Sequence, residues 1–172
     1  MSAKALKHLT PLKVVSILSR LPLFHLLTPG EKQHIAESKS LFYHIPADDE
    51  FIKVGEVDDR FLVLLSGSAV IVHSGEALTE ISAGDFVGET GFIGHNTRLA
   101  SVVAQTDTIA LRFTRKSFQH LPIRAREIIK DHIIEGLVQR VELLNKKVIA
   151  TMIVDKENEL IDATHRLDLK KG

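Results

Sequence analysis

The chain has 172 residues, 44% of them hydrophobic and 26% charged, a composition that suits one globular core with short extensions and excludes a disordered or fibrous protein. Lysine plus arginine equals aspartate plus glutamate at 22 each, so no basic excess offers the clustered cations by which proteins grip nucleic-acid phosphates. Cysteine is absent, which excludes disulfides and thiolate metal sites.

Residues 11 to 27 are apolar but interrupted by Lys13, Arg20, Pro22 and His25. The stretch is too broken for a signal-peptide core or a membrane span, so a cytoplasmic protein with no membrane association is expected. Val14, Val15, Ile17, Leu18 and Leu21 recur at helical spacing, and residues 1–38 read as an N-terminal helical segment. In Thr28-Pro29-Gly30-Glu31 the threonine can accept from a free amide of the first turn, the proline lacks a donor that would go unused, and the glutamate can reach back. That is a capping box, and it predicts a helix to about Ser38.

From Ser40 to Thr114 the pattern changes to short runs: Leu41-Phe-Tyr, Phe51-Ile, Phe61 to Leu65, Ala69 to Val72, Ser101 to Ala104 and Ile109 to Phe113. Seven of the ten glycines fall between Gly55 and Gly94, where these runs have to turn. Many short strands with regular turns predict a barrel or jelly roll over residues 39–121.

Thr114 is a plausible N-cap for a short helix. Beyond Pro122 no glycine or proline except Gly136 interrupts the chain before its last residue, and a long helix is expected over 122–154. Ile134, Leu137, Val141, Leu144 and Val148 alternate by three and four, the seam of a two-helix coiled coil, so a homodimer through this helix is predicted. Ile129, Ile133 and Leu143 make a second set expected to face the barrel, and residues 155–172 read as a polar tail that frays.

The segment that carries chemistry begins at Gly84-Asp85-Phe86-Val87-Gly88-Glu89-Thr90-Gly91 and runs on to Arg98-Leu99-Ala100-Ser101. Glycines let a backbone turn tightly and present amides to an anion, and a nearby arginine adds a fixed charge with a two-pronged fork. A carboxylate such as Glu89 would repel a phosphate but accepts from a sugar hydroxyl, so it suits a ribose. On these residues alone a small phosphate ester and a surface ion pair stand as alternatives.

The spacing Gly88-Glu89, eight residues, Arg98, then Ala100-Ser101 resembles the phosphate-binding cassette of the cyclic-nucleotide-binding domain family. Ile52-Lys-Val-Gly55-Glu56, Asp59-Arg-Phe-Leu-Val-Leu-Leu-Ser-Gly67, Leu23-Phe24, Gly84-Asp85-Phe86 and Phe118 also match in order. The resemblance implies a mostly β fold, a double-stranded β-helix or jelly-roll barrel between N-terminal helices and a long C-terminal helix. It implies that Glu89 binds the ribose 2′-hydroxyl and Arg98 the exocyclic phosphate oxygens. Gly88, Thr90 and Ala100 would complete the ligand contacts with their backbone and Ser101 with its hydroxyl. Gly91, where the family usually has another small residue, is expected to loosen the turn.

Leu99 stands where cyclic-GMP-selective members often carry a threonine, and leucine neither donates nor accepts, so cyclic AMP is favoured over cyclic GMP. Similarity to the catabolite activator protein places Arg140 and Asn145 near the base-contacting stretch of the long helix. Too few residues follow that helix for a winged helix-turn-helix, so direct DNA binding is not expected. His25, His34, His44, His73, His95, His120 and His132 form no ligand-spaced pair, and no nucleophile with its base stands out, so neither a metal site nor an enzyme is expected. The resulting expectation is a stand-alone sensor that signals through its C-terminal helix to an unknown protein partner. The alternatives are a non-binding interaction module that kept the fold, and a transcription regulator that acts through a separate DNA-binding partner.

Overall fold

The computed structural model describes residues 4–5, 10–38, 41–94 and 96–168, so His95 and the end of the polar tail at 169–172 lie outside the described residues. The chain divides into two compact units, Met1–Ile133 and Ile134–Gly172.

The first unit opens with a short strand β1 (Lys4–Ala5), then helices α1 (Pro11–Leu18), α2 (Pro22–His25) and α3 (Pro29–Glu37). The apolar run expected as helical from Pro11 is thus broken into two pieces. Pro22 starts the second piece because its ring fits a first turn and cannot continue the one before it. At α3 the capping box forms as the sequence predicts, with Glu31 N donating to Thr28 Oγ1 at 3.3 Å and Thr28 N to Glu31 Oε2 at 2.8 Å.

Eight further strands follow: β2 (Phe42–Ile45), β3 (Glu50–Ile52), β4 (Phe61–Ser66), β5 (Ser68–His73), β6 (Glu76–Ser82), β7 (Phe86–Val87), β8 (Ser101–Ala104) and β9 (Thr108–Phe113). They form two antiparallel sheets, one in the order β1-β2-β9-β4-β7 and the other β3-β8-β5-β6. Between the sheets lies a core of Ile45, Phe51, Ile52, Leu62, Leu64, Ala69, Ile81, Val87, Val102, Ala104 and Ala110, to which every strand from β2 to β9 contributes. The architecture is thus mostly β, two antiparallel sheets with flanking helices and a long C-terminal helix, as the sequence leads one to expect.

Strand β4 is buried on both faces from Phe61 to Leu65. Leu62 and Leu64 point into the core between the sheets, whereas Phe61 meets Phe86, Phe92, Phe113 and Phe118 at ring-centroid distances of 6.3, 4.7, 5.0 and 5.6 Å. Between β4 and β5 the chain turns at Gly67, φ +84°, where a β-carbon would fall 2.5 Å from Thr108 Oγ1 and 2.7 Å from the Asp107 carbonyl oxygen.

Helix α4 (Glu89–Gly94) sits between β7 and β8, and α5 (Arg115–Gln119) follows β9 with Thr114 as its cap. The last helix, α6 (Ile123–Asp168), continues past residue 154 through the segment read as a polar tail. Its first turns bury Ala125, Ile129 and Ile133 at i, i+4 spacing. Leu143, expected on that same buried set, is 48% exposed and belongs to the second unit.

Candidate functional site

Among the described residues the buried polar side chains are Glu89, Arg98, Ser101 and Thr108, and the first three fall on one stretch of chain. A buried ionised group is tolerated only when it is paired or hydrogen-bonded, so a carboxylate and a guanidinium buried in sequence neighbours mark a built site.

The stretch starts where β7 ends. Gly88 takes φ +84°, a conformation open to glycine at no steric cost, and a β-carbon there would lie 2.8 Å from Arg98 Nη1 and 3.1 Å from the Arg60 carbonyl oxygen. One turn on, a β-carbon at Gly91 would lie 2.7 Å from Arg98 Nη1 and 3.2 Å from its Cζ. Gly91 therefore leaves room for the guanidinium, which a larger residue would have to displace, a packing role beside the loosening of the turn expected from the sequence.

The Arg98 guanidinium donates from Nη1 to the Gly88 carbonyl, from Nη2 to the Arg60 carbonyl and to Asp58 Oδ1, and from Nε to Asp58 Oδ2 at 3.4 Å. Asp58 is also held by Arg60, whose Nη2 donates to Oδ2 at 2.8 Å and whose backbone N–H donates to Oδ1 at 2.8 Å. Partial burial pushes the Asp58 carboxyl up, but the hydrogen bonds from Arg60 and Arg98 and the Arg98 charge outweigh it and bring it down to about 2.

The backbone ties the same two segments together. Gly55 N donates to the Arg98 carbonyl and Arg98 N to the Glu56 carbonyl, both at 2.8 Å. Ser101 Oγ accepts from Val54 N at 3.1 Å, so its hydroxyl is partly committed to the loop before Asp58. On the far side, Phe92 of α4 packs between Phe61 and Phe118, and Arg115 of α5 donates to the Phe92 carbonyl. The turn bearing Glu89 is thereby anchored to both β4 and α5.

Of the residues expected to bind ligand, Gly88 and Arg98 are in contact, Glu89 and Ser101 are buried on the same stretch, Thr90 and Leu99 are exposed and Ala100 is half-buried. Arg140 and Asn145 belong to the second unit. Sequence reasoning missed Asp58 and Arg60. Their signal was a charged tripeptide, Asp58-Asp59-Arg60, set directly before the apolar strand run at Phe61. Among the described residues no cluster of histidine, aspartate and glutamate is placed to hold a metal ion, and no helix is long and apolar enough to cross a membrane.

The family model of the cyclic nucleotide-binding domain matches residues 42–124. The cAMP-dependent protein kinase regulatory subunit of Neurospora crassa is 33% identical over 109 residues, covering 62% of this chain and 28% of that protein. The cGMP-dependent protein kinase of Plasmodium berghei is 26% identical over 134 residues, 77% of this chain and 15% of that protein. Among solved structures, one described as "Sp-2Cl-cAMPS bound to PKAR CBD2" superposes with a TM-score of 0.65 at 25% identity, over 80% of this chain and 90% of that one. The chain spans about a quarter of the length of the curated regulatory subunits it matches.

Proposed function

Residues 42–124 belong to the cyclic nucleotide-binding domain family, and from that premise we propose that the chain is a sensor of cyclic AMP that acts by binding and not by catalysis. The observation that carries the reading is the burial of Glu89, Arg98 and Ser101 on one glycine-rich stretch. Arg98 takes the exocyclic oxygens of the cyclic phosphate, Glu89 accepts from the ribose 2′-hydroxyl, Ser101 donates its hydroxyl proton, and the backbone at Gly88, Thr90 and Ala100 supplies further contacts.

Four of the five guanidinium N–H groups of Arg98 are already engaged with Asp58, Arg60 and Gly88. An incoming phosphate therefore has to share or exchange those contacts, and in doing so it pulls on the 54–60 loop and on α4. Only a difference in ligand affinity between two arrangements can shift their balance, and Asp58 is the group that competes with the ligand. The output passes through α6, whose apolar stripe at Ile134, Leu137, Val141, Leu144 and Val148 supports a homodimer, to a protein partner. Arg140 and Asn145 are the candidates to cap the base.

Cyclic AMP is favoured because Leu99 gives guanine no hydrogen-bonding partner and because related regulatory subunits are named for cyclic AMP. The Plasmodium berghei relative keeps cyclic GMP as the alternative ligand. Titration calorimetry with each nucleotide decides between them. Arg98→Lys keeps the charge but loses the fork, and should weaken cyclic AMP binding by about 100-fold, the equivalent of about one strong charge-assisted hydrogen bond. A second reading, a module that keeps the fold without binding, is favoured by the Asp58 carboxylate already seated on Arg98; absence of heat with either nucleotide at millimolar concentration would establish it.

A further inference from the structure

The rim of the site carries a histidine that the contacts above leave unused. Along β5 the side chains of Ala69, Ile71 and His73 share one face. Ala69 belongs to the core between the sheets and Ile71 packs against it, and His73, the last residue of the strand, continues that row into solvent as an exposed side chain. There its Nδ1 lies 2.8 Å from the carbonyl oxygen of Leu99, the residue after Arg98. Val72 and Ser101 are register partners of β5 and β8, so His73 is level with the residues just before Ser101 and on the sheet face opposite to the Ser101 side chain. The imidazole thus stands beside the 98–101 stretch, next to the backbone of Leu99, whose own side chain is exposed.

The bond to Leu99 fixes more than position. A carbonyl oxygen can only accept, so in the neutral ring Nδ1 carries the proton and Nε2 is left as a lone-pair acceptor. Purines differ at position 6 in the matching property: adenine offers an amino donor there, guanine and hypoxanthine an oxo acceptor. We infer that His73 reads the base, its Nε2 accepting from the 6-amino group of adenine and turning away 6-oxo purines. The inference rests on the cyclic-nucleotide reading above and deepens it, because it assigns selectivity to a residue outside the cassette. It adds a positive contact to the negative argument from Leu99.

The test uses three cyclic nucleotides whose bases separate the terms: cyclic AMP, cyclic GMP, and cyclic IMP, which has the 6-oxo group without the 2-amino group. The wild-type chain should prefer cyclic AMP to cyclic IMP. His73→Leu should lower cyclic AMP affinity about two- to tenfold, as expected for one lost neutral hydrogen bond, and leave cyclic IMP affinity unchanged or raised. His73→Lys presents only donors and should reverse the order in favour of both 6-oxo purines. The position ends an exposed hairpin strand, and thermal unfolding of each variant checks that the fold is kept. If the wild type binds cyclic AMP but all three chains show the same ratio of cyclic AMP to cyclic IMP affinity, His73 does not read the base. If the wild type binds none of the three, the sensor reading itself fails.

Discussion

Arg98 is legible in the sequence because its spacing from Gly88-Glu89 is local, whereas Asp58 reaches it across 40 residues and only the pairing of the 54–60 loop with the cassette brings the two together. The ion pair has a measurable signature. In the folded chain Asp58 titrates at about 2, below the ordinary value of 3.8, so its ionised form stabilises the fold above about pH 4 and that contribution is lost as pH falls toward 2. Allowing for solvent screening at a partly exposed site, we expect about 1 kcal/mol. Denaturant titrations of wild type and Asp58→Asn should differ by about that amount at neutral pH and converge near pH 2. A gap that stays constant with pH would remove the carboxylate charge from the account.

At the scale of elements, the runs rich in valine, isoleucine and phenylalanine announce β2, β3, β4, β5, β8 and β9, and both threonine-capped helices begin where Thr28 and Thr114 place them. Strand β6 is hidden from such reading. It lies at the edge of its sheet, only Ile81 is buried, and Glu76, Thr79 and Glu80 supply none of the alternation that a half-buried strand needs. Strand β7 is too short to show a period. One link between the two sheets is local: the turn at Gly67 leads from β4 of one sheet to β5 of the other, close against Asp107 and Thr108. Gly67→Ala forces a β-carbon into backbone at a positive φ, and we expect a loss of about 3 kcal/mol in chemical denaturation. A loss below about 1 kcal/mol would mean that this turn yields more readily than the close contacts imply.

For the whole chain, the sequence anticipates a sensor built on a long helix, and α6 has the periodicity on which that anticipation rests. Ile134, Val141 and Val148 would occupy one core position of a heptad and Leu137 and Leu144 the other. If the proposed dimer pairs this helix in parallel, branching at the β-carbon in the first set with leucine in the second suits two strands and not three. Replacing Leu137 and Leu144 together by lysine should yield a monomer by light scattering, and a dimer that survives would point to another surface. Neither the split at Pro22 nor the extension of α6 to Asp168 follows from apolar spacing, because helix ends depend on backbone groups that a hydrophobic pattern does not record.

The aromatic cluster around Phe61 has an optical consequence. The chain has no tryptophan and a single tyrosine, Tyr43, in contact with Arg112 away from that cluster. An indole put in place of Phe92, which touches Phe61 on β4 and Phe118 on α5, would therefore emit against an almost dark background. Its emission maximum would report whether α4 keeps its seat when nucleotide is added. A shift that saturates with the calorimetric binding curve is the expected outcome, and a maximum that stays put while heat is released would show that ligand enters without moving α4.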